Sequence, residues 1–160
     1  MRVMGIDPGT GRLGWAIVDK NGHQETLVAC GCLATPAKTA LAVRLEKIYD
    51  LLNQLIADYS PQQAAVEELF FVKNVKTGIS VGHARGVVLL AFQQAGIPVA
   101  DYKPAEIKQA VTGMGNADKK QVQKMVKAIL GMKAVVEPDD AADAVAVALT
   151  HLALSKFRVR

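Results

Sequence analysis

Acidic residues in three well-separated segments are the side chains of this sequence best suited to chemistry. Asp7 ends the apolar run Val3-Met4-Gly5-Ile6 and leads into Pro8-Gly9. Glu67 and Glu68 end a second short run, "QAAVEE" at 63–68, and Asp139, Asp140 and Asp143 sit in "EPDDAADAVAVALTHLALSK". Each has an ordinary reading. Asp-Pro-Gly is turn chemistry, and acids near a helix start offset the macrodipole, which accounts for Asp139. Asp143 fits that reading poorly, because Ala-Ala-Asp-Ala-Val-Ala has the composition of a buried stretch and a buried carboxylate is costly unless paired. Asp140 and Asp143 are three apart and share one helical face.

If the run at 63–68 lies parallel beside the first, Asp7 and a glutamate meet at the carboxyl edge of the sheet, where open α/β sheets place their sites. Strand alternation sends Glu67 and Glu68 to opposite faces, so only one joins Asp7. Converging carboxylates repel and raise one another's pKa values. Divalent cations remove that conflict, and oxygen donors without His or Cys favour Mg²⁺ or Mn²⁺ over zinc. Two such ions close together suit phosphodiester hydrolysis, one activating water and one stabilising the leaving oxygen.

The elements that must position these acids follow from periodicity and punctuation. Residues 2–7, 13–19 and about 25–34 read as strands, with Asn21-Gly22 as the hairpin turn between the second and third. A helix over about 40–59 carries Leu41, Leu45, Ile48, Leu52, Leu55 and Ile56 at helical spacing. The crossover makes 63–68 a parallel strand. A loop, "LFFVKNVKTG", leads to an apolar helix over about 79–95, then a fifth strand at 98–102. Pro104 opens a short helix, Asp118 or Asn116 caps the next, which ends at Gly131, and Pro138 begins the last. The expected fold is α/β: a mixed five-stranded sheet, three antiparallel strands and then parallel crossovers, flanked by helices and forming one domain over residues 1–160.

Composition agrees. The 160 residues are 51% hydrophobic and 5% aromatic, with a net charge of +4 and a pI near 9.1, which permits a nucleic-acid partner. No leader-like segment or run of eighteen apolar residues occurs, so no membrane role and a cytoplasmic location are expected. Cys30 and Cys32, two apart on one strand, are too far separated for a good disulfide and lack further zinc ligands, so reduced thiols are expected.

"GIDPGTGRLGWAIV", "AVEELFFVKN", "GHARGV" and "DDAADAVAVALTH" together resemble, in order and spacing, the RuvC family of bacterial Holliday-junction resolvases. The resemblance runs through almost the whole chain. It implies a ribonuclease H-like fold and a Mg²⁺-dependent homodimer with two ions per site, for which Mn²⁺ substitutes. It also implies four catalytic, metal-binding carboxylates: Asp7, Glu67, Asp140 and Asp143. The implied activity is resolution of four-way DNA junctions in recombination and repair, by symmetric nicks in opposed strands that leave 5′-phosphate and 3′-hydroxyl ends. RuvA–RuvB, the branch-migration complex, is the implied protein partner.

Between 103 and 133 seven lysines face two acids, a local charge of +5 against +4 for the whole chain. A lysine-rich helix is ordinarily a solvated face, but these residues adjoin a glycine loop and the expected nuclease edge. The resemblance singles out Lys108 and Lys119 as DNA-backbone contacts, with Lys120, Lys73 and Arg85 as further candidates. It also assigns Phe70 as a wedge stacking on an unpaired base. It makes the helix containing Gly82, Gly86 and Leu89 the two-fold interface. Two other readings compete. The first motif resembles the phosphate motif of actin-like ATPases and sugar kinases, but those need a second lobe. A non-catalytic junction-binding module is expected to lose carboxylates that are all present here.

Overall fold

The computed structural model describes residues 1–69 and 75–155. Strands β1 (Arg2–Asp7), β2 (Arg12–Asn21) and β3 (Gln24–Ala34) lead to helix α1 (Leu41–Tyr59). Strand β4 (Gln63–Glu67), helix α2 (Val75–Gln94) and strand β5 (Val99–Tyr102) follow. Helices α3 (Pro104–Thr112), α4 (Lys119–Ile129) and α5 (Asp139–Leu154) complete the order. The sheet runs β3-β2-β1-β4-β5. β1–β2 and β2–β3 are antiparallel, and β1–β4 and β4–β5 are parallel. The mixed five-stranded sheet expected from the sequence is the one found.

Both faces of the sheet are covered, which is why its central strands read as apolar runs. Met4, Ile6, Ala64 and Val66 pack against Ile48, Leu52 and Leu55 of α1 and Ala84, Val88 and Phe92 of α2. Val3 and Ala65 point the other way, into a second core built with α3, α4 and α5. Strand alternation then sends Asp7, four residues past Val3, and Glu67, two past Ala65, to the α5 side. The register Ile6↔Val66 puts them next to each other at the same edge.

Helix α5 lies so close to the sheet that two positions beneath it must be glycine. A Cβ on Gly5 would stand 2.2 Å from the Ala144 carbonyl oxygen, and one on Gly14 would stand 1.9 Å from that of Asp140. Eleven of the sixteen residues of α5 are buried, and eight of its positions are alanine or valine. The helix is therefore half of a core and the carrier of two candidate site residues at once.

Helix ends fix the cations. Asp118 caps α4: its Oδ1 accepts from Gln121 N at 2.9 Å while Gln121 Oε1 accepts from Asp118 N at 2.8 Å. Of the two caps open on sequence, the reciprocal capping box is made by Asp118. Lys119 is thereby the first residue of α4. Helix α2 begins at Val75, four residues earlier than the periodicity indicates. Its first turn is exposed, Val75 by 72%, so it carries no apolar pattern for a sequence reading to register. β4 ends at Glu67, leaving Glu68 beyond the strand. Cys30 and Cys32 are free thiols, as expected.

The packing of α5 makes a prediction. Gly14→Ala should lower the stability measured in denaturant by about 1–3 kcal/mol, the usual cost of overpacking. Gly11→Ala, where a Cβ would meet nothing nearer than Arg44 Nη2 at 3.5 Å, should leave the midpoint nearly unchanged.

Candidate active site

Four carboxylates from three segments come together at the carboxyl edge of β1 and β4. Asp7 and Glu67 are supplied by the strand ends. Asp140 and Asp143 come from the first turns of α5, on the face that crosses β1 and β2. The turn after Asp7 is held in place: Thr35 N donates to Gly11 O at 2.9 Å. The Thr35 hydroxyl donates to the Thr10 carbonyl, and the Thr10 and Ser80 hydroxyls share a further hydrogen bond.

The electrostatics identify which acids face one another. Burial, the charge of Glu67 and a hydrogen bond between the two carboxyls push Asp7 from an ordinary 3.8 up to about 8. The charges of Asp143 and Asp140 add to that rise. Glu67 is also raised, by burial first and by Asp143, while its bond to Asp7 and the charges of Lys108 and Lys119 oppose the shift. Asp7 and Glu67 thus hold a proton between them. Glu67 rather than Glu68 makes this contact, because Glu67 lies on the α5 face of β4.

Two cations balance the other pair. Arg12 Nε donates to Asp140 Oδ2 at 2.7 Å. Lys119 Nζ donates to Asp143 Oδ2 at 2.9 Å and stands 3.4 Å from Asp139 Oδ2. Burial opposes the charge on Lys119, but Asp143 and Asp139 outweigh it and raise its pKa. Asp139 is exposed, and its carboxylate accepts from Gln123 Nε2 at 2.9 Å as well. It belongs to the rim, in keeping with its reading as a helix-start acid.

The chemistry of the donors fits divalent metal ions bound by hard oxygen ligands. The observation that supports the fit is the surplus of negative charge, relieved here by one retained proton and two side-chain cations. Among the described residues no three possible ligands converge on one point, and Asp140 and Asp143 are each engaged by a cation, Arg12 and Lys119.

A cleft of about 270 Å³ opens beside the acids, lined by Glu67, Pro104, Ile107, Lys108, Lys119, Val122 and Asp143. A wider hollow of about 830 Å³ continues from it past Arg12, Lys119, Pro138, Asp139 and Asp140. Lys108 and Lys119 therefore stand at the acids, and Lys120 is exposed on the first turn of α4. Arg85 is not brought there. Its Nη2 donates to Asp101 Oδ1 at 2.6 Å, and it lines neither hollow. Phe70 and Lys73 lie outside the described residues. On α2, Gly82 and Gly86 are exposed with open space above them, and Leu89 is half-buried. Ile79 and Leu90 on the same helix are more than half exposed.

Sequence reasoning missed Arg12 and Cys32. Nothing in the sequence marks Arg12, although Asp7↔Gly14 pairing puts the start of β2 at the acidic edge. Cys32 pairs with Gly14 across β2–β3, and burial followed by the charge of Asp140 raises its thiol pKa while Arg12 opposes the rise. Only the hairpin register could have revealed either.

A sheet of this order, with acids on the ends of its central strand and that strand's parallel neighbour, is the architecture of the ribonuclease H-like nucleases. Residues 3–151 match the family model described as crossover junction endodeoxyribonuclease RuvC. The protein of that name from Roseiflexus sp. (strain RS-1) is 55% identical over 150 residues, covering 94% of this chain and 89% of the relative. The one from Brevibacillus brevis is 46% identical over 157 residues, covering 98% and 95%. The structure of T. thermophilus RuvC in complex with a Holliday junction substrate superposes with a TM-score of 0.92 at 37% identity, covering 98% of this chain and 95% of that one. This chain belongs to the RuvC family.

The proton held by Asp7 ties stability to pH. Its folded pKa lies above its unfolded one, so its contribution is fully present below about 3.8 and is lost as pH rises through about 8. Metal-free protein should therefore melt at progressively lower temperature than Asp7→Asn as pH is raised from 4 to 8. The gap should level off above 8 and close when Mg²⁺ is added to the wild type. Parallel melting curves for the two proteins across that range would contradict the buried pair.

Proposed function

We propose that this chain is a metal-dependent endonuclease that resolves four-way DNA junctions, cutting two opposed strands symmetrically to leave 5′-phosphate and 3′-hydroxyl ends. The observation that carries the reading is the meeting of Asp7, Glu67, Asp140 and Asp143, from three distant segments, beside Lys108 and Lys119. The junction as substrate is supported by the family and by the complex formed by the T. thermophilus relative.

Asp7, Glu67, Asp140 and Asp143 would hold the ions: Mg²⁺, two per site, with Mn²⁺ able to substitute. When bound, they supply an activated water and charge stabilisation for the leaving oxygen. The protein does the rest. Lys108 and Lys119, on the cleft walls, bind phosphate oxygens and set the strand against the acids, and Lys120 and Lys73 extend the contact. Arg85, which is paired with Asp101 and lines neither hollow, is a further candidate contact away from the acids. Phe70 follows β4 closely in sequence and is suited to stack on a base unpaired at the crossover, worth about 1–3 kcal/mol.

The dimer reading draws on α2. Its exposed Ile79 and Leu90 flank Gly82 and Gly86, which let a second helix approach, and Leu89 lies beside them. An isologous pair presents two sites to a junction of like symmetry. Handover from RuvA–RuvB and a cytoplasmic location rest on family membership. Among the described residues no helix is long and apolar enough to cross a membrane.

Purified protein with Mg²⁺ should nick a four-way junction and spare a linear duplex of the same sequence. Asp7→Asn should abolish the cutting while leaving junction affinity largely intact, as should Glu67→Gln and Asp143→Asn. Affinity that fell with activity in all three would remove the acids from metal binding. Lys119→Ala should weaken binding itself and reduce the slope of log affinity against log salt by about one unit. An unchanged slope in that titration would return Lys119 to a solvated surface.

A further inference from the structure

Arg12 has no place in the reading above, yet it makes the shortest ion pair at the acids. Its Nε is 2.7 Å from Asp140 Oδ2, while the side chain remains 55% exposed. Lys119, 50% exposed, holds Asp143 in the same way from another element. Both line the wider hollow that opens beyond the acids. Each cation is therefore bound to a candidate metal ligand on one side and faces open solvent on the other.

Two competitions follow from that placement. A divalent ion and Arg12 compete for the Asp140 carboxylate, since both neutralise it. A phosphate oxygen and Asp140 compete for Arg12, because a guanidinium's fork matches phosphate as well as carboxylate. Exposed ion pairs are weak, so the guanidinium can change partners. The change needs no backbone movement, since Arg12 reaches Asp140 across the edge of β2 from a flexible side chain.

We infer that Arg12 is an exchangeable counter-ion: it occupies Asp140 in the free protein and transfers to a backbone phosphate when DNA enters the hollow, freeing that carboxylate for metal. Phosphate and metal then favour each other's binding, and the coupling is reciprocal. The free nuclease keeps a poorly charged site, and the site becomes competent where DNA lies across it. The inference rests on the reading of the four acids as metal ligands.

Metal affinity without DNA separates the two ideas. Mn²⁺ titrated into the full-length protein, followed by loss of the free-ion paramagnetic resonance signal, should bind Arg12→Gln roughly fivefold or more tighter than wild type. Arg12→Lys, which keeps the charge, should stay near wild type. Binding of a labelled short linear duplex, read by fluorescence anisotropy at constant ionic strength, should gain more from added Mn²⁺ in wild type than in Arg12→Gln. Because Arg12 is more than half exposed, all three proteins should melt alike. Equal or weaker Mn²⁺ binding by Arg12→Gln would overturn the exchange, as would an equal gain in duplex affinity. Failure of both wild type and variant to bind Mn²⁺ would instead fell the metal site itself, and the inference with it.

Discussion

The backbone-to-backbone approach of α5 to β1 and β2 is the constraint on which the rest of the molecule depends. Gly5 and Gly14 leave no side chain between the helix and the sheet, so the carbonyl oxygens of Ala144 and Asp140 come down onto the strands themselves. At that separation Asp140 and Asp143 are carried over the strand end that holds Asp7. A helix standing farther off, on larger side chains, would bury an equal core and leave its acids out of reach of β1. The alanines and valines of α5 serve the same end, since small side chains keep both the helix low and its core filled.

That proximity has an electrostatic cost which the fold meets locally. Asp7 and Glu67 keep a proton between them, and Arg12 and Lys119 neutralise the acids of α5. The four carboxylates are thus divided into a deeper pair that shares a proton and a half-buried, ion-paired pair nearer the solvent. Burial accounts for the division. The strand ends lie beneath the helix, where a second charge is expensive, while the first turns of α5 reach the solvent edge, where flexible cations can approach.

Much of this was legible in the sequence. The strands and their acidic ends were readable because Pro8-Gly9, Asn21-Gly22 and Pro61 punctuate apolar runs, and one helical crossover between two such runs dictates parallel neighbours. The placement of Asp140 and Asp143 on one face followed from a spacing of three. What could not be read depended on pairing across distance. Arg12 and Cys32 come near Asp140 only through the β1–β2 and β2–β3 registers, and nothing in their own neighbourhoods marks them. The choice of Glu67 over Glu68 came from the family resemblance, because strand alternation alone does not say which sheet face α5 covers. The start of α2 lay in an exposed turn whose side chains leave no periodic trace. Gly14 reads as an unremarkable strand glycine until the helix above it is known.

The order of segments along the chain has a consequence for synthesis. The acids of β1 emerge from the ribosome first, those of β4 midway and those of α5 only near the end. Chains grow from the amino terminus and fold as their parts become available, so β1, β2, β3 and α1 can pair and pack while the last helix is still unmade. An incomplete nascent chain then has a formed sheet edge but half of its acids. Because α5 also supplies a large share of one core, truncated products lack the packing that would stabilise them as well as the residues that would let them cut. Placing both on α5 keeps a DNA-cutting activity from existing before that helix has been made and packed.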